Sequence, residues 1–471
     1  MPQTTEGPEF ANLSKTLKSN IVSLSGLGTT IVVLNSADAN NDLLEKRAKI
    51  YSGSFCTPMV SSPHLMDLGD FVPLMDSNDS WRKQRRAISA QINRKSMYNF
   101  RQPQNQQARR LLQHLLDVCC DLESSDDLEQ EFYRAVSAVF FDTVYGYELK
   151  ALDDPFHIDN MTLHNNLAKS LVLSKFLVNF FPWLQYIPEW IPGAGWKKKV
   201  REWREQKNRT MDGIYNWAKQ RVADLKIEGS DDYSIISSTI KDAQKAGWDE
   251  TETDTFAKNL GTTLLVGGSG LSAASFSWLI LSMALFPEAQ AKAQREIDEV
   301  VGPDRLPTFE DQPRLPYIRR LLLEVLRWQA PAPLGIPHKC TEDDEYQGYR
   351  IPKGAIMIGN VWAINQDGDQ YKDPDTFNPD RFLDPSVPPP PIFGSGLRIC
   401  PGRYFFQDLF FIQAVLILAT FKVGRYKDER GQEIEPVRRV IVGSAAARPA
   451  TFKLKISPRS RQHVELIQTA L

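Results

Sequence analysis

The sequence contains little cysteine and almost no net charge, and both absences narrow the range of possible functions. Its five cysteines include the adjacent pair Cys119 and Cys120, and none stands in a CxxC or CxxH spacing. This pattern argues against a zinc module and against a disulfide framework, so we expect a reducing compartment. The 56 Lys and Arg residues are balanced by 58 Asp and Glu residues, which argues against a dedicated nucleic-acid binder.

The sequence also lacks repeats and an apolar N-terminal segment. Residues 1–20 contain no apolar stretch long enough for a signal core or a membrane span. No repeat of about 20 to 50 residues is visible. The low-complexity patch Pro388–Pro391 reads as a stiff extended connector. We therefore expect no secretory signal, no N-terminal membrane anchor and no repeat architecture.

Amphipathic helical patterns dominate the chain, and strand-like pieces are few. Apolar residues recur at three- and four-residue steps in the segments that start at Gln107, Asn208 and Pro287. Strand-like pieces start at Thr29, Tyr349 and Ala450. A length prior of roughly 150 residues per domain suggests three domains. Strand pieces near both ends with helices between them favour a single domain instead, of mainly α class with small β-sheets.

An uncharged run from Leu260 to Phe286 is long enough to suggest a membrane span. A helix starting at Asp249 or Thr251 and interrupted by Pro287 would have about 36 residues and a length of roughly 54 Å. Polar residues in its middle and charged helices at both ends favour a helix buried inside a large protein. Three glycines stand within four positions, at 267, 268 and 270, and each costs roughly 1 kcal/mol relative to alanine. We therefore expect another body to approach closely there.

A second informative stretch starts at Pro391 and reads "PIFGSGLRICPGRYFFQDLFF". It places Cys400 in a glycine-rich loop directly before a long apolar helix. The helix dipole and backbone N–H donors favour the thiolate, which is the form that binds metals. We expect Gly394, Gly396 and Gly402 to let a flat, bulky cofactor lie against the backbone.

The residues Phe393 to Gly402, "FGSGLRICPG", match the pattern FxxGxRxCxG at every fixed position, so the chain resembles the cytochrome P-450 family. The motifs "WRKQR", "EVLR" and "FNPDRF" stand in the family's order, and the likeness to fungal microsomal-type enzymes runs from about Gly26 to Ser460. The resemblance implies the cytochrome P-450 fold with one haem domain at residues 26–460. Residues 1–25 would be an extension without a membrane anchor, and residues 461–471 a tail.

The resemblance also implies a binding site for heme b, iron protoporphyrin IX. Cys400 would be the thiolate ligand of the iron, and Phe393 and Gly402 belong to the same cofactor-binding loop. The groups placed to bind the haem propionates are Trp81, Arg85, His338 and Arg398, with an ordinary turn histidine as the alternative for His338. Glu324, Arg327 and Arg381 resemble the family's buried charge triad, which braces the segment leading to the cysteine loop.

The glycine run aligns with the family's central helix, where a glycine, an acid and a threonine usually stand. Here Gly270 replaces the acid and Leu271 the threonine, and neither can relay protons to dioxygen. The resemblance implies that oxygen and substrate approach these glycines. Ser269 or Ser272 could hold a substitute water chain, or merely bond to helix carbonyls. Otherwise the chain is an isomerase, dehydratase or peroxygenase that needs no reductase, or a haem binder without catalytic activity.

The function that the resemblance favours is a monooxygenase. It would insert one oxygen atom from dioxygen into a lipophilic small molecule of secondary-metabolite or xenobiotic type. Its electrons would come from NADPH through NADPH–cytochrome P-450 reductase. The expected location is the endoplasmic reticulum membrane surface, or the cytosol because this chain has no anchor. The aromatic segment from Leu173 either roofs the pocket or touches the membrane, and Ala445, Ala446 and Ala447 would make the pocket roomy.

Overall fold

A computed structural model describes residues 6–26, 28–119, 124–149, 151–228, 233–441 and 446–470. The long helices are α5 (Asp79–Gln91), α6 (Arg101–Val118), α7 (Ser125–Phe140), α8 (Pro155–Leu171), α9 (Trp196–Glu228), α10 (Ile235–Lys245), α11 (Glu250–Leu285), α12 (Pro287–Val301), α13 (Pro316–Trp328) and α15 (Arg403–Thr420). The remaining helices are α1 (Glu6–Leu17), α2 (Ala37–Asn40), α3 (Ala48–Tyr51), α4 (Pro58–Ser61), α14 (Val361–Asn365) and α16 (Arg461–Gln468).

The strands form small sheets beside the helices. They are β1 (Ile21–Gly26), β2 (Thr29–Leu34), β3 (Gly53–Ser54), β4 (His338–Lys339), β5 (Asp344–Tyr346), β6 (Tyr349–Ile351), β7 (Ile356–Gly359), β8 (Phe421–Lys427), β9 (Glu433–Ile434), β10 (Val440–Ile441), β11 (Arg448–Pro449) and β12 (Leu454–Pro458). The largest sheet has the order β1-β2-β7-β4-β3. Strand β2 pairs antiparallel with β1 and parallel with β7, which brings distant parts of the chain together.

Helix α11 crosses the middle of the domain. Asp249 caps its start by accepting a hydrogen bond from the Glu252 N–H at 2.8 Å, and Phe286 ends it before Pro287. Helices α11 and α15 are both long and apolar enough to cross a membrane, but 83% and 78% of their most apolar windows are buried inside the domain. Helix α11 is therefore the predicted interior helix of 36 residues and not the membrane span that its length suggested.

Both terminal segments pack against the rest of the domain. Asn360 donates a hydrogen bond to the Gly7 carbonyl at 2.9 Å, and strand β1 pairs with β2 along its length. At the other end, Arg109 on α6 donates to the Ala470 carbonyl at 2.8 Å, and Ile467 is fully buried. Helix α1, strand β1 and helix α16 thus contribute to the packed structure.

Candidate active site

Cys400 lies in a tight loop at the start of α15. Its N–H donates to the Phe393 carbonyl at 2.7 Å, which closes the loop. Burial raises the pKa of the Cys400 thiol, whereas a hydrogen bond from the Gly402 backbone and the positive charge of Arg85 lower it. A Cβ atom on Gly402 would lie 3.9 Å from the sulfur, in ordinary contact.

The reason for one loop glycine differs from the prediction. A Cβ atom on Gly396 would overlap the Leu44 carbonyl and lie 2.9 Å from the Ala48 side chain. Gly396 also has a positive φ of 58°, which favours glycine. This glycine therefore admits the π-helical segment Asn41–Lys46 and α3, a reason that the sequence pattern did not indicate.

Arg398 and Trp81 form the centre of a cationic cluster behind the loop. The guanidinium carbon of Arg398 lies 4.3 Å from the centre of the Trp81 ring, and its Nε donates to the Ser52 carbonyl at 2.9 Å. Both terminal nitrogens of this guanidinium are enclosed and have no partner among the described residues. Burial lowers the pKa of Arg398 to about 10, so the group still carries its charge at neutral pH.

Arg85 and His338 complete the cluster. Arg85 stands 5.8 Å from the Trp81 ring centre and donates to the Ile399 carbonyl at 2.6 Å, so it supports the backbone before Cys400. His338 lies buried in strand β4, and its Nδ1–H donates to the Tyr51 carbonyl at 2.7 Å. Burial lowers the pKa of His338 to about 4.

These residues fit a haem. Two enclosed guanidinium nitrogens without partners are the donors that a buried carboxylate requires. A thiol set before a helix start, with a backbone N–H directed at it, suits a metal thiolate. The described residues contain no cluster of three or more His, Cys, Asp or Glu side chains able to hold a metal by themselves. A porphyrin with propionate groups therefore matches the cluster of Cys400, Arg398 and Trp81.

The three charged residues predicted to pair are in contact. Glu324 accepts hydrogen bonds from Arg327 at 2.8 and 2.9 Å and from Arg381 at 3.0 and 3.1 Å. Glu324 and Arg327 are fully buried, and Arg381 is 8% exposed. The two arginines also donate to the carbonyls of Asn365 and Thr376, in the segment that leads toward the cysteine loop.

The middle of α11 has one accessible face. Gly267, Gly268 and Leu271 are only partly buried, whereas the residues around them are buried. Ser269 is fully buried and donates to the Leu265 carbonyl at 2.6 Å. Ser272 is 4% exposed and makes no hydrogen bond within the described part of the chain. Of these two serines, only Ser269 therefore bonds to a helix carbonyl, which was the alternative to holding a water chain.

Two of the three glycines at positions 267, 268 and 270 lie against side chains of neighbouring helices. A Cβ atom on Gly268 would overlap the Phe140 ring of α7, and one on Gly270 would overlap the imidazole of His164 on α8. Side chains of α7 and α8 therefore approach these two glycines, and the approach of oxygen and substrate stays a prediction. Gly267 differs, since a Cβ atom there would lie 3.8 Å from Phe71. The two histidines of α8 gave no sequence signal that would have identified the contact of His164 with Gly270.

Comparisons with known proteins agree with this site. The Cytochrome P450 family profile matches residues 4–448. Cytochrome P450 monooxygenase 98 of Postia placenta is 34% identical over 98% of this chain and 88% of its own length. Tryptamine 4-monooxygenase of Psilocybe cyanescens is 31% identical over 98% of this chain and 90% of its own length. A zebra fish cytochrome P450 solved with progesterone has a TM-score of 0.78 at 21% identity, covering 98% of this chain and all of that one.

The chain therefore belongs to the cytochrome P450 family. The predicted fold class is confirmed, and the predicted function is confirmed as that of a haem-thiolate monooxygenase. As an oxidoreductase of this family it uses haem with a cysteine thiolate, a small-molecule substrate, dioxygen, and electrons from NADPH through a reductase. The relatives do not favour the isomerase, dehydratase, peroxygenase or non-catalytic alternatives.

Proposed function

We propose that this monooxygenase oxidises a lipophilic small molecule held against the accessible face of α11. The observation that carries the proposal is the chemistry of that face. It consists of two glycines and Leu271, with Phe71 opposite Gly267, and offers apolar surface without a charged group. Such a surface selects for size and apolar character rather than for a particular functional group.

In this proposal Cys400 ligates the haem iron, and the bound haem supplies the oxidising chemistry. The enclosed nitrogens of Arg398 bind a propionate, and the Trp81 ring holds the guanidinium in place. Arg85 positions the backbone next to Cys400, and His338 on β4 would bind a propionate. Leu271 excludes water from the reacting substrate.

The thiolate assignment has a direct spectroscopic test. Cys400→Ser should remove the carbon monoxide difference band that is typical of thiolate-ligated haem. Cys119→Ser is the matched control, because Cys119 is buried at the end of α6, donates to the Leu116 carbonyl at 3.2 Å and is not among the residues assigned to the haem. An unchanged band in C400S would refute the assignment.

The substrate class is tested with haem-loaded protein, reductase and NADPH. Lauric acid, a sesquiterpene hydrocarbon and tryptamine sample three carbon skeletons, the first with a carboxylate, the second without a polar group and the third with a protonated amine. Tryptamine is included because one relative is a tryptamine 4-monooxygenase. We expect hydroxylated product from at least one of them, with tighter binding for the more apolar compounds. Product from none of the three, with or without hydrogen peroxide as an alternative oxidant, would contradict the proposal.

We also propose a peripheral contact with the endoplasmic reticulum membrane, made by the segment between α8 and α9. Its exposed apolar residues are Leu177, Phe181, Trp183, Tyr186 and Trp190, with exposed fractions from 39% to 81%. Tryptophan and tyrosine are the side chains that favour the membrane–water interface. In flotation with phosphatidylcholine vesicles, the double variant Trp183→Asp, Trp190→Asp should lose binding. Tyr98→Asp, another exposed aromatic position, should keep it; equal flotation of both would refute the contact.

The reductase would dock near the cysteine loop. Arg94 and Lys95 follow α5, the helix that carries Arg85, and both are exposed. Charge reversal at both positions should slow reduction by NADPH and weaken the dependence of that rate on salt. An unchanged rate and salt dependence would exclude this surface as the docking site.

A further inference from the structure

His164 occupies the space beside Gly270. Its ring lies where a side chain at position 270 would begin, so an imidazole from α8 fills the place next to the central helix. His164 is only partly buried and makes no hydrogen bond within the described residues. Neither ring nitrogen is fully enclosed, so both open onto accessible space.

A strip of buried polar side chains continues from His164 along the interface of α7 and α8. The Tyr133 ring centre lies 5.8 Å from that of His164 and 5.8 Å from that of His157. Asn160, fully buried between the two histidines, donates to the Tyr133 hydroxyl at 3.2 Å. The residues His157, Asn160 and His164 are spaced by three and four positions, so they share one face of α8.

The strip contains two enclosed polar atoms without hydrogen-bond partners. Within the described residues these are His157 Nδ1 and Asn160 Oδ1. Arg134 pairs with Glu131 at 3.0 Å in a nearly buried ion pair. Enclosed polar atoms in such a group are normally satisfied by ordered water. His114 on α6, which is partly exposed, interacts electrostatically with both members of this pair. The strip therefore extends from the pair toward the protein surface.

We propose that His164, supplied through this strip, delivers the protons that Gly270 and Leu271 cannot relay. The inference rests on the proposed function, because monooxygenation consumes one dioxygen, two electrons and two protons and releases one water. The reductase supplies the electrons. One ring nitrogen of His164 releases a proton toward the site of dioxygen reduction while the other accepts one from the strip, so the residue is unchanged after each transfer.

The environment of His164 suits a relay. Burial lowers the pKa of His164 to about 4, so the ring is neutral at physiological pH and offers one donor and one acceptor nitrogen. Ser272 on α11 has a hydroxyl without a bond to a helix carbonyl among the described residues. This hydroxyl is a candidate for the next proton carrier, whereas the Ser269 hydroxyl is engaged with Leu265.

The functional test compares His164→Phe with His463→Phe, a matched change on helix α16. Phenylalanine keeps a ring against Gly270 and Tyr133 but cannot carry a proton. With the substrate panel above, H164F should lower the share of NADPH electrons recovered in product by about tenfold or more and release hydrogen peroxide instead. Hydrogen-peroxide-driven turnover and substrate affinity should be unchanged, as should all properties of H463F.

A second measurement does not depend on turnover. The ring resonances of the six histidines can be followed by NMR in the haem-loaded protein, with His164 assigned by its loss in H164F. We expect the His164 ring to stay neutral as the pH falls through 6.5, its ordinary pKa, and to shift in Gly270→Ala. The G270A variant also displaces an intact imidazole, so it should lower coupling even if H164F folds poorly.

Each outcome is decisive. Equal coupling in H164F, G270A and the unmodified enzyme, or a His164 resonance that ignores G270A, would overturn the relay alone. Absence of product from the unmodified enzyme with both oxidants would overturn the proposed function and the relay with it. Reduced coupling in H164F together with retained peroxide-driven turnover is the result that the proposal requires.

Discussion

The guanidinium of Arg398 lies over the Trp81 ring at 4.3 Å, with two enclosed nitrogens that have no partner among the described residues. A buried cation of this kind is costly to the haem-free protein and is compensated when a carboxylate binds. The stability of the haem-free chain and its affinity for haem are therefore expected to change in opposite directions when this charge is removed.

The first prediction concerns Arg398→Gln. Losing a charge-assisted bond to a propionate should weaken haem binding roughly ten- to hundredfold. The melting temperature of the haem-free protein should not fall, because a buried charge is removed. Haem titration and thermal unfolding measure the two effects. Arg350→Gln, at an exposed position paired with Asp343, is the control. Unchanged haem affinity in R398Q would contradict the propionate assignment.

The second prediction concerns the triad. Arg327→Ala leaves Glu324 buried without its closest partner, which should cost about 3 to 5 kcal/mol of unfolding free energy and abolish haem incorporation. Arg320→Ala on the same helix removes a more exposed pair with Asp380 and should cost less than about 1 kcal/mol. Denaturant unfolding and haem content measure both variants. Normal haem content in R327A would refute the structural role of the triad.

The third prediction separates two glycines of α11. Gly267→Ala should stabilise the protein by up to about 1 kcal/mol, since the added methyl group makes ordinary contact with Phe71 and improves helix propensity. Gly270→Ala gains the same propensity but must displace the His164 ring, so its net effect should be a destabilisation of about 1 to 3 kcal/mol. Denaturant unfolding of the pair measures the difference, and equal effects would show that the ring moves aside freely.

The fourth prediction concerns pH. The unfolded imidazole of His164 binds a proton below about pH 6.5, whereas the folded one remains neutral to about pH 4. Protonation therefore favours the unfolded state, and stability falls as the pH drops through this window, by up to about 3 kcal/mol from this residue. Above pH 6.5 the effect vanishes. Above pH 6.5 the unfolding free energies of the wild type and His164→Gln should change in parallel with pH. Below it, the unfolding free energy of the wild type should fall more steeply than that of H164Q. Parallel curves over the whole pH range would contradict the low pKa.

Local sequence patterns were enough to predict much of the fold and of the site. The helix from Asp249 to the proline after Phe286 could be predicted because its cap, apolar run and terminator are contiguous. Cys400 could be placed before an apolar helix for the same reason. Motif resemblance extended this to the triad, in which Arg381 contacts Glu324 across 57 residues of chain.

Long-range packing could not be read from the sequence. His164 reaches Gly270 from a helix more than one hundred residues earlier, and nothing in its own neighbourhood indicates that contact. Gly396 likewise owes its missing side chain to Leu44, at the opposite end of the chain. Ala446 and Ala447 are buried, and the Ala447 carbonyl accepts a hydrogen bond from Trp278. Ala445 lies outside the described residues, and the roomy pocket expected from these alanines stays a prediction.

The most direct test of the central claim follows the oxygen atoms. The haem-loaded enzyme with reductase and NADPH should be supplied with isotopically labelled dioxygen and a substrate from the panel. The account predicts one labelled oxygen atom in the organic product and one in water, despite the missing acid and alcohol at Gly270 and Leu271. Product without label, or product formed only when hydrogen peroxide is added, would contradict a monooxygenase that activates dioxygen.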